Sequence, residues 1–173
     1  VERDGAPPLS PSATNPFRIE IGLERQRLDL FRSGEVWKSW PVSTSKHGAG
    51  EVRGSFQTPR GTHVIRAKIG AGAPFGTVFR GRRPTGEIYS DELARAEPGR
   101  DWILTRILWL SGTEVGKNRL GEVDTMRRYV YIHGTPDSTE LGVPGSIGCV
   151  RIGNLGIVEL FDLIPAGTRV EIA

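Results

Sequence analysis

Cysteine is almost missing from this chain: one in 173 residues. A single thiol excludes an internal disulfide, so the redox state of its compartment cannot be read from pairing. A lone thiol is also a liability in an oxidising compartment, where it risks mispairing. If the protein is exported, that liability favours a task for Cys149. Long apolar runs are absent too. None approaches the roughly 18 residues that cross a bilayer as a helix, so no membrane span is expected. Neither charge dominates, since 23 Lys and Arg stand against 20 Asp and Glu for a net charge of +3. That excess is compatible with an anionic polymer but lacks the signature of a nucleic-acid binder, and no nucleic-acid partner is expected. The densest basic run, Arg80 to Arg83, reads as a solvated loop. No signal-peptide pattern is visible, and Val1 suggests a trimmed or matured chain.

Glycine and proline are plentiful, 23 and 12, and the apolar share is 37%. That balance points to a turn-rich protein, more β than α, and the length suits one domain with a real core. Residues 1–16, "VERDGAPPLSPSATNP", carry almost no core-forming side chains and read as a linker or tether. From Phe17 the segments "FRIEIGL", "RLDLF" and "EVWKSWPVS" alternate apolar with polar, as half-buried strands do. Further strands are expected at "HVIRAKI", "DWILTRILWL", "RRYVYIHG" and "AGTRVEIA". "SDELARA" makes a short helix capped by Ser90 or Asp91 and ended at Pro98-Gly99. "NLGIVELFDLI" is the one substantial helix, late in the chain, with Leu155, Val158, Phe161 and Leu163 near helical spacing and Asn154 as its N-cap. The reading is one mostly-β domain with one late α-helix.

Chemistry concentrates in "YIHGTPDSTELGVPGSIGCVRI", residues 131–152. Alternation puts Tyr129, Tyr131 and His133 on one face of a strand, with His133 at its end, where Gly134 frees the backbone to turn. Gly148 lets the chain pass close to a ligand, leaving the Cys149 N–H open toward a developing oxyanion. A free thiol titrates near ~8.5, so an imidazole that accepts its proton is the usual activator at neutral pH. By composition alone, one cysteine and one histidine are more often packing residues than a catalytic pair; the flanking pattern shifts that balance. His47 and His63 are expected at the surface or in strand packing, and Trp37, Trp40, Trp102 and Trp109 in the core. The spacing of His47, His63, His133 and Cys149 matches no usual zinc ligand pair, so no metal is expected.

His133, Gly134, Ser146, Gly148, Cys149 and Arg151, spaced as His-Gly and then Ser-x-Gly-Cys-x-Arg, resemble the signature of the L,D-transpeptidase catalytic domain of the YkuD type. Upstream, Thr58, Pro59 and Gly61 match that family's Thr-Pro-x-Gly, and the resemblance runs from about Arg18 to Ala173. It implies a single β-sandwich-like catalytic domain over residues 17–173, in which 70–121 include a lid-like insertion hinged at Gly76, Gly81 and Gly86. Tyr89 and Arg80 to Arg83 are candidate contacts of that lid. It also implies an enzyme of the cell envelope or periplasm, a monomer acting on peptidoglycan stem peptides without metal or organic cofactor. Cys149 would attack the carbonyl of the third stem residue, expel the terminal D-alanine and pass the acyl group to an amine of a second stem, giving a 3→3 cross-link. His133 would be the base, held by the carbonyl of Gly134, with the Gly148 and Cys149 N–H groups as the oxyanion hole. Arg151 would bind a substrate carboxylate or brace the loop, Ser146 would fix the loop by hydrogen bonds, and Tyr131 completes the candidate substrate-binding set. Acylation of Cys149 by carbapenems follows from the same resemblance. The same thioester also serves a carboxypeptidase, exchange with a free D-amino acid, or attachment of an envelope protein. A non-catalytic wall-binding module is the alternative of a different class.

Overall fold

Alternating segments build the first three strands, β1 (Phe17–Gly22), β2 (Arg27–Arg32) and β3 (Glu35–Ser43). Ser33 and Gly34 both take left-handed backbone, at φ 50° and 85°, in the two-residue turn that lets β3 fold back on β2. The computed structural model describes residues 14–173, so most of the tether expected over residues 1–16 lies outside the described residues. Asn15 and Pro16 are tied to the domain: the Asn15 amide donates to Thr168 Oγ1 at 2.9 Å, and Ser33 N–H to Pro16 O at 2.9 Å.

The remaining strands are β4 (Gly61–Ile69), β5 (Thr77–Arg80), β6 (Arg83–Ile88), β7 (Ile103–Gly112), β8 (Tyr131–Thr135), β9 (Val150–Gly153) and β10 (Arg169–Ile172). Their order is β4-β10-β1-β2-β3-β9-β8-β7, and β7 returns to pair with β4 from His63↔Gly112 to Ile69↔Ile107. The mostly-β sheet is therefore closed, barrel-like. The β5–β6 hairpin hangs from β7 through Val78↔Leu104 and Phe79↔Ile103.

Among the described residues two α-helices accompany the sheet. α1 (Asp91–Ala96) is a short one capped by Ser90, whose hydroxyl accepts Leu93 N–H at 3.1 Å. α2 (Asn154–Leu163) is the late helix and packs against β7, β8 and β9. Its buried face differs from the expected one: Ile157, Leu160 and Phe161 enter the core, and Leu155 is 79% exposed. The i, i+3, i+4 set begins two residues later than the first leucine suggests. Asn154 is not the N-cap either. Gly153 holds that place, and Asn154 Oδ1 accepts a hydrogen bond from Thr105 Oγ1 at 2.7 Å inside the fold. Ile19, Ile21, Leu28, Leu30, Leu108 and Ile132 anchor the core around this helix. A second, smaller cluster of Phe79, Ile107 and Tyr131 takes in Trp109 and Cys149. No helix of the described residues is long and apolar enough to cross a membrane.

Two histidines are fully buried, His63 on β4 and His133 on β8. Burial pushes both imidazoles below their ordinary pKa. In the unfolded chain they titrate near ~6.5. Below that pH the unfolded state binds more protons, so stability is complete above pH ~6.5 and declines as pH falls through it. The expected loss is up to about 1.4 kcal/mol per pH unit for each histidine until its folded pKa is reached. Carboxylates do not titrate until nearer ~4, so the drop in thermal midpoint between pH 7 and 5 reports the histidines. A flat midpoint over that range would mean that both rings stay hydrated.

Candidate active site

β8 and β9 run parallel, with Ile132 opposite Val150 and His133 opposite Arg151. Residues two apart on a strand share a face. Ile132, Val150 and Ile152 point into the main core, while Tyr131 and Cys149 meet in the second cluster on the other side. His133 and Arg151 belong to that second face. Tyr129 is not part of the strand, since its backbone is left-handed, at φ 57°, in the turn before β8, but its exposed ring lies on the same side, 6.2 Å from that of Trp109. The strand thus begins later than the alternation suggests.

His133 lies in the middle of β8 rather than at its end, since Gly134 and Thr135 continue the strand. Gly134 serves close approach, not turning. A Cβ there would sit 2.4 Å from Asn154 Oδ1 and 2.5 Å from the carbonyl of Leu104. β7 is irregular at this level: Leu104 faces Gly134 and Ile107 faces His133, with Thr105 held at φ 75° between them.

The His133 Nδ1 lies 2.7 Å from the carbonyl of Gly134, so Nδ1 carries the proton and donates. Nε2 is therefore the lone-pair nitrogen, and it is buried without a hydrogen-bond partner among the described residues. Burial lowers the pKa of this ring, against the opposing pull of the Gly134 carbonyl, and keeps it neutral. Cys149 is half-buried. Its sulfur accepts Tyr131 N–H at 3.3 Å and directs its own proton to Tyr129 O at 3.5 Å. No hydrogen bond joins the thiol to His133 among the described residues. Burial pushes the Cys149 pKa up to about 12, only partly offset by the Tyr131 N–H. The site thus rests as a neutral thiol and a neutral imidazole on one face of the sheet.

The turn before Cys149 is docked on the upstream half of the chain. Gly145 and Ser146 N–H both donate to Thr44 O at 2.9 Å, and Lys46 N–H donates to Ser146 O at 3.0 Å. Thr58, from the upstream "TPRG", donates to Gly148 O at 2.9 Å. Ser146 Oγ donates to Cys149 O at 2.6 Å and accepts Gly148 N–H at 3.2 Å. The expectation that the Gly148 N–H stands open is therefore not met, because the Ser146 hydroxyl holds it. The Cys149 N–H has no protein acceptor among the described residues. Gly148, at φ 130°, takes a backbone that other residues rarely adopt. Arg151 is turned to bracing: its guanidinium donates to Asp101 Oδ1 at 2.8 Å and to Gly145 O at 3.1 Å.

Of the basic run Arg80 to Arg83, the structure brings Arg82 to the site, and it adds Arg53, Arg127 and Arg128, which sequence reasoning missed. Arg82, at the tip of the β5–β6 hairpin, donates to Tyr131 Oη at 3.0 Å. Its guanidinium stacks on Tyr129 at 4.5 Å and on Trp109 at 5.0 Å. A cavity of about 300 Å³ borders Cys149, and Arg53, Arg127 and Arg128 reach it from two separate loops. His47 is exposed beside Phe56, and His63 is buried between Gly61 O and Thr125 Oγ1. Among the described residues no three His, Cys, Asp or Glu side chains gather as a metal site.

The chain matches the L,D-transpeptidase catalytic domain, YkuD, over residues 16–172. It is 28% identical over 160 residues to the putative L,D-transpeptidase YkuD of Bacillus licheniformis, covering 92% of this chain and 67% of that protein. Its fold resembles an L,D-transpeptidase from Mycobacterium smegmatis, with a TM-score of 0.55 at 19% identity, covering 92% of this chain and 59% of that one. It also resembles L,D-transpeptidase 3 from Mycobacterium tuberculosis, solved with a faropenem-derived adduct, with a TM-score of 0.55 at 14% identity over 91% of this chain and 60% of the other. The chain thus spans about six-tenths of the length of those two solved chains. With the match running through the closed sheet and through both the Thr58 and the Cys149 halves of the site, the chain belongs to the YkuD family of L,D-transpeptidase catalytic domains.

Proposed function

We propose that this domain is a cysteine acyltransferase that cross-links peptidoglycan stem peptides. The observation that carries the reading is the chain's one thiol, bordering a cavity and lying on the same sheet face as a buried neutral imidazole with an unpartnered Nε2. In the first half-reaction Cys149 Sγ bonds to the carbonyl carbon of the third residue of a tetrapeptide stem, and the bond to the terminal D-alanine breaks. The thiol proton passes to His133 Nε2 and then to the departing amine. Tyr131 N–H, already on the sulfur, stabilises the developing thiolate. Negative charge on the substrate oxygen is met by the Cys149 N–H. In the second half-reaction a side-chain amine of another stem takes the acyl group, its proton goes to His133, and the thiol is restored.

The β5–β6 hairpin is the cover in this reading, fastened by Arg82 to the aromatic residues beside the thiol. A covered thioester is shielded from water, which favours a positioned amine over hydrolysis. Incubation with purified disaccharide-tetrapeptide, followed by mass analysis, should give free D-alanine and more cross-linked dimer than tripeptide at high substrate. Tripeptide alone would make the protein a carboxypeptidase, and no product at all would overturn the reading.

A further inference from the structure

Among the described residues the cavity beside Cys149 has three guanidinium groups on its walls and no carboxylate. Arg128 is half-buried, and its donors meet only neutral acceptors: Gly50 O at 3.2 Å, Ser55 Oγ at 3.3 Å and Gln57 O at 2.7 Å. Burial pushes its pKa down, as expected of a cation short of counter-charge. Arg53 and Arg127 are exposed, and no ion pair among the described residues includes either of them or Arg128. Glu122, whose carbonyl accepts Arg53 N–H at 2.7 Å, carries an exposed side chain that forms no ion pair with the three arginines, and two further acids are engaged elsewhere. Glu51 grips Arg60 at 2.8 and 3.0 Å, and Asp124 accepts the backbone N–H groups of Leu120 and Arg127 at 2.7 and 2.9 Å. Like charges converging on a concave, partly desolvated space focus a positive potential there.

The volume, about 300 Å³, suits one amino-acid residue rather than an extended chain. Cys149 forms part of the same wall, so an anion held by the arginines lies within about one residue of the carbon that the sulfur attacks. We propose that this cavity is a carboxylate site, which receives the free C-terminus of the acyl donor one residue beyond the scissile carbonyl. The identity of that donor rests on the function proposed above; the anion site does not. A donor whose terminus is amidated, or extended past that one residue, loses this contact.

The single thiol makes the site directly readable. Alkylation of Cys149 by anionic iodoacetate is compared with alkylation by neutral iodoacetamide at the same pH. Toward an ordinary thiol the anion is the slower reagent. Here iodoacetate should be the faster at low salt, and its advantage should shrink at about 0.5 M salt, where the screening length falls to a few ångströms. In Arg53→Ala/Arg127→Ala, which removes two exposed and unpaired side chains, the rate ratio should fall by about tenfold. Slower reaction of iodoacetate with the unaltered protein, or a ratio unmoved by the double variant, overturns the proposal. A second arm measures protection of Cys149 from iodoacetamide by tetrapeptides ending in the free acid or the amide. Protection by the acid alone supports the assignment, and equal protection by both overturns it. If the iodoacetate preference and its loss hold while neither peptide protects or reacts, the carboxylate site stands and the stem-peptide reading falls.

Discussion

Cys149→Ala will lose all measurable acyl transfer while keeping the fold. No second thiol exists to substitute for it. Intact-mass measurement after exposure to tetrapeptide, and separately to a carbapenem, should show a thioester-linked adduct on the unaltered protein and none on the variant. The half-buried sulfur makes two weak hydrogen bonds, so its removal should cost about 1 kcal/mol or less. The sign reverses in alkali. The folded thiol is pushed up to about 12, while in the unfolded chain it ionises near ~8.5. The unaltered protein therefore loses stability as pH rises above ~8.5, and the alanine variant escapes that loss. A folded variant that still releases D-alanine at an appreciable rate would remove Cys149 from the chemistry.

His133→Ala will cut acylation by about 10²–10⁴-fold, the usual contribution of a positioned proton acceptor. The geometry specifies more than the size of the effect. At rest the thiol proton is directed to Tyr129 O, and no hydrogen bond links sulfur to imidazole. The pair is neutral, not a standing thiolate–imidazolium couple, and proton transfer accompanies attack on bound substrate. Iodoacetamide labelling of Cys149 should then change little in the variant while acylation collapses. Equal losses in both would mean that His133 holds a thiolate before substrate arrives. Because burial lowers the pKa of the ring, the acid limb of kcat should also lie below ~6.5.

Most strands were legible because a half-buried strand writes its period into the chain. "EVWKSWPVS" is β3, and "DWILTRILWL" supplies all of β7 but its last two residues. The signature around His133 and Cys149 was equally plain, since those positions are local in sequence. Features made by distant residues were not. The carbonyl of Leu104 and the amide of Asn154 exclude any side chain at residue 134, and only the folded packing brings them there. The Gly148 N–H looked free because nothing in "SIGC" announces that the Ser146 hydroxyl turns back onto it. Arg127 and Arg128 lay within a segment read as strand, and Arg53 came from a loop with no periodicity to interpret. The alternation that correctly placed Tyr131 also overran the turn at Tyr129, where left-handed backbone breaks the period.

The hairpin attached to β7 has a consequence for how the protein avoids sticking to itself. Strands within a closed sheet offer few unpaired backbone groups, but among the described residues β6 pairs with β5 alone. An unprotected edge of that kind is a template for aggregation with another chain. The sequence of β6, "RPTGEI", blunts it: Pro84 has no N–H to offer, Gly86 lies at φ 89°, and Arg83 and Glu87 bring charge. Smoothing this strand with Val or Ile would leave the barrel's own ladder untouched and still invite edge-to-edge assembly.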